Sequence, residues 1–247
     1  MEKETHNSPF IIHNFSTGPW LVLDTACPRG IVAVVQQASV LAQATLLQSR
    51  RHAEQLPTAV AHVLQQAGLP VHALGGVAAG LGPGSFVGVR IGIAHAKGLA
   101  SALGIPALGL PTLLALAASR TTSDSRCKLA VLGARRGEVF VQETRNEQGP
   151  PRPQNPPRVL AESDVAPVAA RAGVIVGCGL TPQVTNCLRR LGALHEIDGP
   201  SATGLACLLH DRLRQTPDPT QEDKDECEQL SPLYLRAPDA RPPTRTI

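Results

Sequence analysis

The six cysteines of this 247-residue chain form no C-x-x-C pair, and none has a histidine at zinc-ligand spacing. That pattern argues against a metal site built from them. Cys27, Cys127, Cys178, Cys187, Cys207 and Cys227 are also too widely scattered for a small disulfide scaffold, which leaves ordinary thiols of a reducing, cytoplasmic protein as the expectation. Met1 to Asn7 is polar and is not followed by a basic stretch and a long apolar segment, so no export signal is expected. Charge is scarce as well. A net charge of +3 and a charged fraction of 17% lack the dense Lys/Arg face of a dedicated nucleic-acid-binding domain, so any RNA contact is expected to be shared with a partner. The charge-free stretch Gly98 to Ser119 is long enough to cross a bilayer, but Pro106, Pro111, Gly104 and Gly109 break it, and no membrane association is expected.

A hydrophobic content of 43% is ample for a core. Periodicity predicts a flexible extension over residues 1–16. An antiparallel meander follows, from Leu21–Leu23, Ile31–Val35 and Val40–Leu46. A helix with Leu56, Val60, Val63, Leu64 and Ala67 on one face comes next, stopped by Gly68 and Pro70. After it come a strand at Val77–Ala79, a long helix, a strand at Ala107–Leu110 and a helix over Thr112–Ser119. The pattern then partly restarts, with a hairpin (Leu129–Leu132, Val139–Val141), a strand at Val174–Val176, a helix over Pro182–Leu191, a short strand at Glu196–Ile197 and a helix over Ser201–Arg214. Residues 146–158, with five prolines, read as an extended loop, and the acidic stretch 218–228 as a solvated linker. The fold class is therefore α/β, with two units of similar plan: 17–118, and a degraded second unit with its tail over 119–247.

The most informative segment is GLGPGSFVGVRIGIAHAKG, Gly80 to Gly98, a strand end that turns directly into a helix. Unpaired amides at a helix N-terminus can hold an anion, which makes Asp24, Gly82, Gly84, Ser85 and Arg90 candidates for a phosphate loop. The known nucleotide fingerprints are missing. Gly88 is followed by Val89 and Arg90 rather than the lysine and hydroxyl of a P-loop, and Gly82, Gly84 and Gly88 miss the dinucleotide spacing by one residue. The alternative is structural: the glycines let a strand fold sharply onto a close helix, and Ser85 caps that helix.

The segments LVLDTACPRGIVAVV, GLGPGSFVGVRIGIAHAKGLA, LGARRGEVF and PLYLR resemble the TsaB (formerly YeaZ) family over most of Trp20 to Arg236. The resemblance implies an actin-like (ASKHA), two-lobed fold in which each lobe is a mixed sheet flanked by helices. It implies a role in making threonylcarbamoyladenosine beside the anticodon of tRNAs reading codons that begin with A. In that system a TsaD-like subunit carries metal and does the catalysis, a TsaE-like ATPase joins it, and TsaB is a non-catalytic partner found as a homodimer when alone. ATP, ADP and metal are then expected only in partner subunits or at a shared interface.

The residues here agree with that division of labour. An actin-like ATPase needs a carboxylate and glycine-rich hairpins around phosphates and magnesium. Asp24 is suitable, yet the turn after it carries Cys27, Pro28 and Arg29, and Gly133 stands where relatives place an aspartate. Val87 replaces a threonine that relatives usually have in the glycine motif. His52 and His62 are ten apart and cannot share one ion on a helix, so His52 is read as a helix-start surface residue; His95 has no acid beside it. Neither a catalytic ATPase or kinase nor a glycopeptidase finds its residues. What remains is an interaction surface. Gly88, Gly92 and Ala96, spaced by four, with His52, Leu56 and Val60 on the neighbouring helix, are the candidate contacts for a TsaD-like partner, because the family's contact uses these two helices. On that reading Gly92→Leu separates partner binding from folding.

Overall fold

The computed structural model describes residues 17–47, 51–121, 127–145, 149–215 and 230–235. The expected N-terminal extension and acidic linker lie outside these residues. Strands β1 (Pro19–Asp24), β2 (Gly30–Gln36) and β3 (Ser39–Leu46) form the antiparallel meander, and β4 (Gly76–Gly80) and β5 (Ala107–Leu110) add to β1 in parallel. The first sheet therefore has the order β3-β2-β1-β4-β5. Its strands are apolar nearly throughout because both faces are covered. Leu21, Leu23, Val32 and Val34 point toward helices α1 (His52–Gln66) and α2 (Phe86–Leu103). The alternate residues Trp20, Val22, Ala33 and Val35 point to the opposite layer, where α6 (Ala202–Gln215) lies with Leu205 and Leu209 inward.

The second sheet repeats the plan. β6 (Lys128–Gly133) pairs antiparallel with β7 (Glu138–Arg145), which pairs with the two-residue β8 (Arg152–Pro153) and with β9 (Arg158–Ala161). On the other side, β10 (Val174–Cys178) and β11 (Ala193–Ile197) run parallel to β6. Counted from β6, the order is again third, second, first, fourth, fifth, which is the actin-like arrangement of two mixed sheets flanked by helices. The degraded character of this lobe sits in its third strand, split into β8 and β9; the proline-rich segment read as loop supplies these short rungs. The short helix α4 (Val165–Ala169) and α5 (Pro182–Leu191) cover one face through Val165, Val184 and Leu188.

α3 (Thr112–Ala118) joins the lobes. Five of its seven residues are buried, with Ala115 in the first lobe's core and Leu113, Leu116 and Ala117 against the second sheet. A helix this short is marginal alone, and burial on both sides stabilises it. Its C-terminus is held by Lys128, which is 2% exposed and donates from Nζ to the carbonyls of Ala117 (2.8 Å) and Arg120 (2.6 Å). Lys128→Met is expected to lower stability by about 1–3 kcal/mol, the cost of leaving those buried acceptors unpaired, measured by urea unfolding.

The sequential division at residue 118 does not follow the packing beyond the second sheet. α6 returns to the first sheet, and Leu230 to Leu235 crosses back as well: Leu230 is buried in the first lobe's core and the Leu233 amide donates to the Leu81 carbonyl.

Candidate functional site

Two turns meet where the lobes face each other. The first is the β1–β2 turn, Thr25–Arg29; the second is the β4–α2 junction that holds the glycine motif. They interlock through backbone. Ser85 N donates to Ala26 O (2.8 Å), Thr25 Oγ1 donates to Gly88 O (2.7 Å), and Gly88 N donates to Ser85 Oγ (3.2 Å), so Ser85 caps α2 as its position predicts. Gly82 N is taken by Thr112 Oγ1 (3.1 Å). The amides of Gly82, Ser85 and Gly88 are thus occupied from within the chain, and the junction works as a structural clasp rather than the phosphate loop considered from the sequence.

Asp24, the carboxylate candidate, is fully buried at the centre of this clasp. Oδ1 accepts from Ala26 N (2.8 Å) and Oδ2 accepts from Thr112 Oγ1 (2.7 Å), and a side chain on Gly80 would collide with it. It ties β1 to α3 and offers no oxygen to the cleft, which corrects its placement among anion-loop residues. Burial raises its pKa from 3.8 to about 6, against the pull of the Thr112 and Ala26 hydrogen bonds. A folded pKa above the unfolded one means that this group favours folding below pH 3.8 and loses that contribution as pH rises through about 6. Asp24→Asn is therefore expected to lower the unfolding free energy at pH 4 relative to that at pH 7 by about 2 kcal/mol compared with the unsubstituted protein, measured by urea titration of both proteins at the two pH values. An unchanged gap would show that Asp24 does not titrate in this range.

Beside this clasp the chain bridges the lobes directly. Gly179, at the end of β10, packs on Pro28, with Cγ 3.2 Å from where a Gly179 Cβ would lie, and Arg29 N donates to Asp198 O (3.1 Å). Cys27 and Cys178, both 1% exposed, share the core between the lobes, and contact with Cys178 together with burial pushes the Cys27 thiol well up. Such a thiol stays protonated and is a poor nucleophile. The departure at Gly133 has its reason here: any Cβ would strike the Gly179 carbonyl, so no carboxylate fits at this position. A cavity of about 340 Å³ lies between β2 and β3 of the first lobe and the end of β11 with the turn into α6; the Arg29–Asp198 ion pair (3.1 Å) lines it, and none of the predicted site residues does.

The predicted partner contacts require a correction. His52, Leu56, Val60, Gly88, Gly92 and Ala96 are all buried within one chain. A Cβ on Gly88 would collide with Thr25 O, and one on Gly92 would lie 2.6 Å from Thr25 Oγ1 and 3.1 Å from Leu23 Cδ1. The small stripe lets α2 lie directly on β1. His52 is no surface residue either: it is 0% exposed, neither ring nitrogen meets a hydrogen-bond partner, and burial lowers its pKa despite the nearby Thr25 and Leu46 carbonyls. The surface the two helices present instead is one step round, with Val87, Ala94, Gly98 and Ala102 on α2 and Ala53, Pro57 and Ala61 on α1. Val87 is 62% exposed, and space is open around Gly98. Beside this face, Arg90 does not reach the glycine loop; its Nε donates to the hydroxyl of Tyr234 (2.6 Å), a contact across 144 residues that the sequence did not signal.

A family model described as TsaD, tRNA N6-adenosine threonylcarbamoyltransferase, matches residues 39–149. An uncharacterized protein of Mycobacterium tuberculosis is 32% identical over 224 residues, 90% of this chain and 93% of that protein. The tRNA threonylcarbamoyladenosine biosynthesis protein TsaB of Escherichia coli is 36% identical over 131 residues, 52% of this chain and 56% of that one. Among solved structures, a Pseudomonas aeruginosa protein described as similar to peptidase YeaZ superposes with a TM-score of 0.75 at 31% identity, covering 89% of this chain and all of that one. With this sequence similarity and a shared architecture over its whole folded body, the chain belongs to the TsaB (YeaZ) family.

Proposed function

We propose that this chain serves in tRNA threonylcarbamoyladenosine biosynthesis as a non-catalytic subunit, bound to a TsaD-like catalytic protein and working with a TsaE-like ATPase. Family membership supports the process. The observation that carries the non-catalytic role is the contact between the lobes, where the Thr25–Arg29 turn rests on Gly179 and Asp198. Asp24 is sealed beneath it, and Gly133 has no room for a second carboxylate. Metal and nucleotide are then supplied by partner subunits rather than by residues of this chain.

The outer face of α1 and α2 is the proposed contact. The TsaD family model matches the segment that holds these helices, so a TsaD-type chain carries a counterpart of the same helix pair, and two such faces of small residues suit close packing in a pseudo-symmetric pair. A second copy of this chain would use the same face, so homodimer and heterodimer compete.

Reconstitution of tRNA modification from purified subunits, with and without this chain, tests the role. Product is expected to require it; equal product without it, or ATP turnover by the isolated chain, would overturn the reading.

A further inference from the structure

At the start of α2 two aromatic rings enclose a guanidinium. Arg90 Cζ lies 3.8 Å from the Phe86 ring centroid and 5.6 Å from that of Tyr234, and the two rings are 5.3 Å apart at an interplanar angle of 31°. The chain has only six aromatic side chains of the Phe, Trp and Tyr types, and two of them stand here about half exposed, Phe86 at 47% and Tyr234 at 46%. Neither contributes to the core. Their positions are nonetheless fixed: Phe86 by the capped first turn of α2, and Tyr234 by the strap whose Leu233 amide donates to Leu81 O (2.8 Å) and by its own hydroxyl, which accepts from Arg90 Nε.

The charged side chains of α2 carry one sign. Residues 55–123 contain no Asp or Glu, so no carboxylate on α2 or its flanking segments offsets Arg90, and Lys97 lies two turns further along the same edge of the helix. Unpaired nucleobases stack on aromatic rings and arginine planes, and the Arg90 charge favours the adjoining phosphate. On the proposed function a protein partner takes Ala94, Gly98 and Ala102 further along the outer face, and the aromatic–arginine edge at the start of α2 has the chemistry for RNA.

Resting on the tRNA role above, we propose that Phe86, Arg90 and Tyr234 form a stacking platform for an unpaired base of the RNA substrate. The platform holds the base by its π-face, so it is tolerant of base identity and adds affinity without reading sequence.

The test uses the complex of this chain with its TsaD-like subunit and two fluorescent RNA hairpins, one with an unpaired loop and one with an abasic loop, compared by anisotropy. Stacking of one base predicts that Phe86→Leu with Tyr234→Leu weakens binding of the intact hairpin about tenfold and leaves the abasic hairpin unchanged. Arg90→Lys, which keeps the charge and loses the plane, is expected to lose most of the same preference, and Tyr234→Phe to stay within about twofold. Equal binding of the two hairpins by the unmodified complex, or unaltered preference in the variants, overturns the platform. Dissociation of the variants from the catalytic subunit on size exclusion overturns it in favour of a protein contact. Should RNA modification proceed without this chain at all, the functional reading itself falls; normal requirement for the chain with indifferent variants removes the platform alone.

Discussion

Gly92→Leu is expected to destabilise the N-terminal lobe by about 3 kcal/mol or more, seen as a lower urea midpoint and poor soluble yield. The position faces β1 directly. A Cβ alone would sit 2.6 Å from Thr25 Oγ1 and 3.1 Å from Leu23 Cδ1, and the further atoms of leucine have nowhere to go without lifting α2. Lifting the helix breaks the Thr25 Oγ1 to Gly88 O bond and separates the two turns that clasp Asp24. Overpacking costs about 1–3 kcal/mol where a core yields, and the loss of a buried hydrogen bond adds to that. An unchanged midpoint would mean that α2 does not rest on β1 as described. The substitution therefore cannot separate partner binding from folding, contrary to what helical spacing alone suggests.

Ala94→Arg with Gly98→Leu is the change that separates them. Ala94 and Gly98 are exposed on the outer face, and a Cβ on Gly98 meets nothing within 4 Å. The fold is expected to keep its urea midpoint or gain slightly, since leucine is a better helix former than glycine by roughly 0.8 kcal/mol. Copurification with the TsaD-like subunit is expected to fall at least a hundredfold, because an unpaired charge and added bulk enter a surface of small residues, and tRNA modification should fall with it. Retained copurification would move the partner contact away from these helices.

Helical spacing alone does not distinguish the two faces of α2. α2 carries a small stripe at Gly88, Gly92 and Ala96 and another at Val87, Ala94 and Gly98, with Arg90 and Lys97 as its only charged side chains. Periodicity identifies a face when one side is apolar and the other polar. Here both sides are apolar or small, so spacing shows that something approaches closely without saying whether it is this chain's own sheet or a partner. Asp24 was ambiguous for a similar reason. A carboxylate at the end of a strand, before a tight turn, is equally a metal ligand or an internal clasp, and only the positions of Thr112 and Gly80 distinguish them.

The order of elements in the first lobe, the cap at Ser85, the β6–β7 hairpin and the extents of β5 and α5 follow from local rules: β-branched and apolar runs, a hydroxyl before a helix, glycine at turns, proline at a first helical turn, whereas the short β8, β9 and α4 carry no such signal. The sequence by itself determined these, together with the family likeness carried by its motifs. Tertiary structure alone decided which stripe of α2 is inside, that α6 and the Leu230–Leu235 strap return to the first lobe, that Gly179 closes over Gly133, and that Tyr234 meets Arg90. Each is a contact between residues far apart in the chain. No short window records them, because their energies arise only when the sheets and helices already formed are brought together.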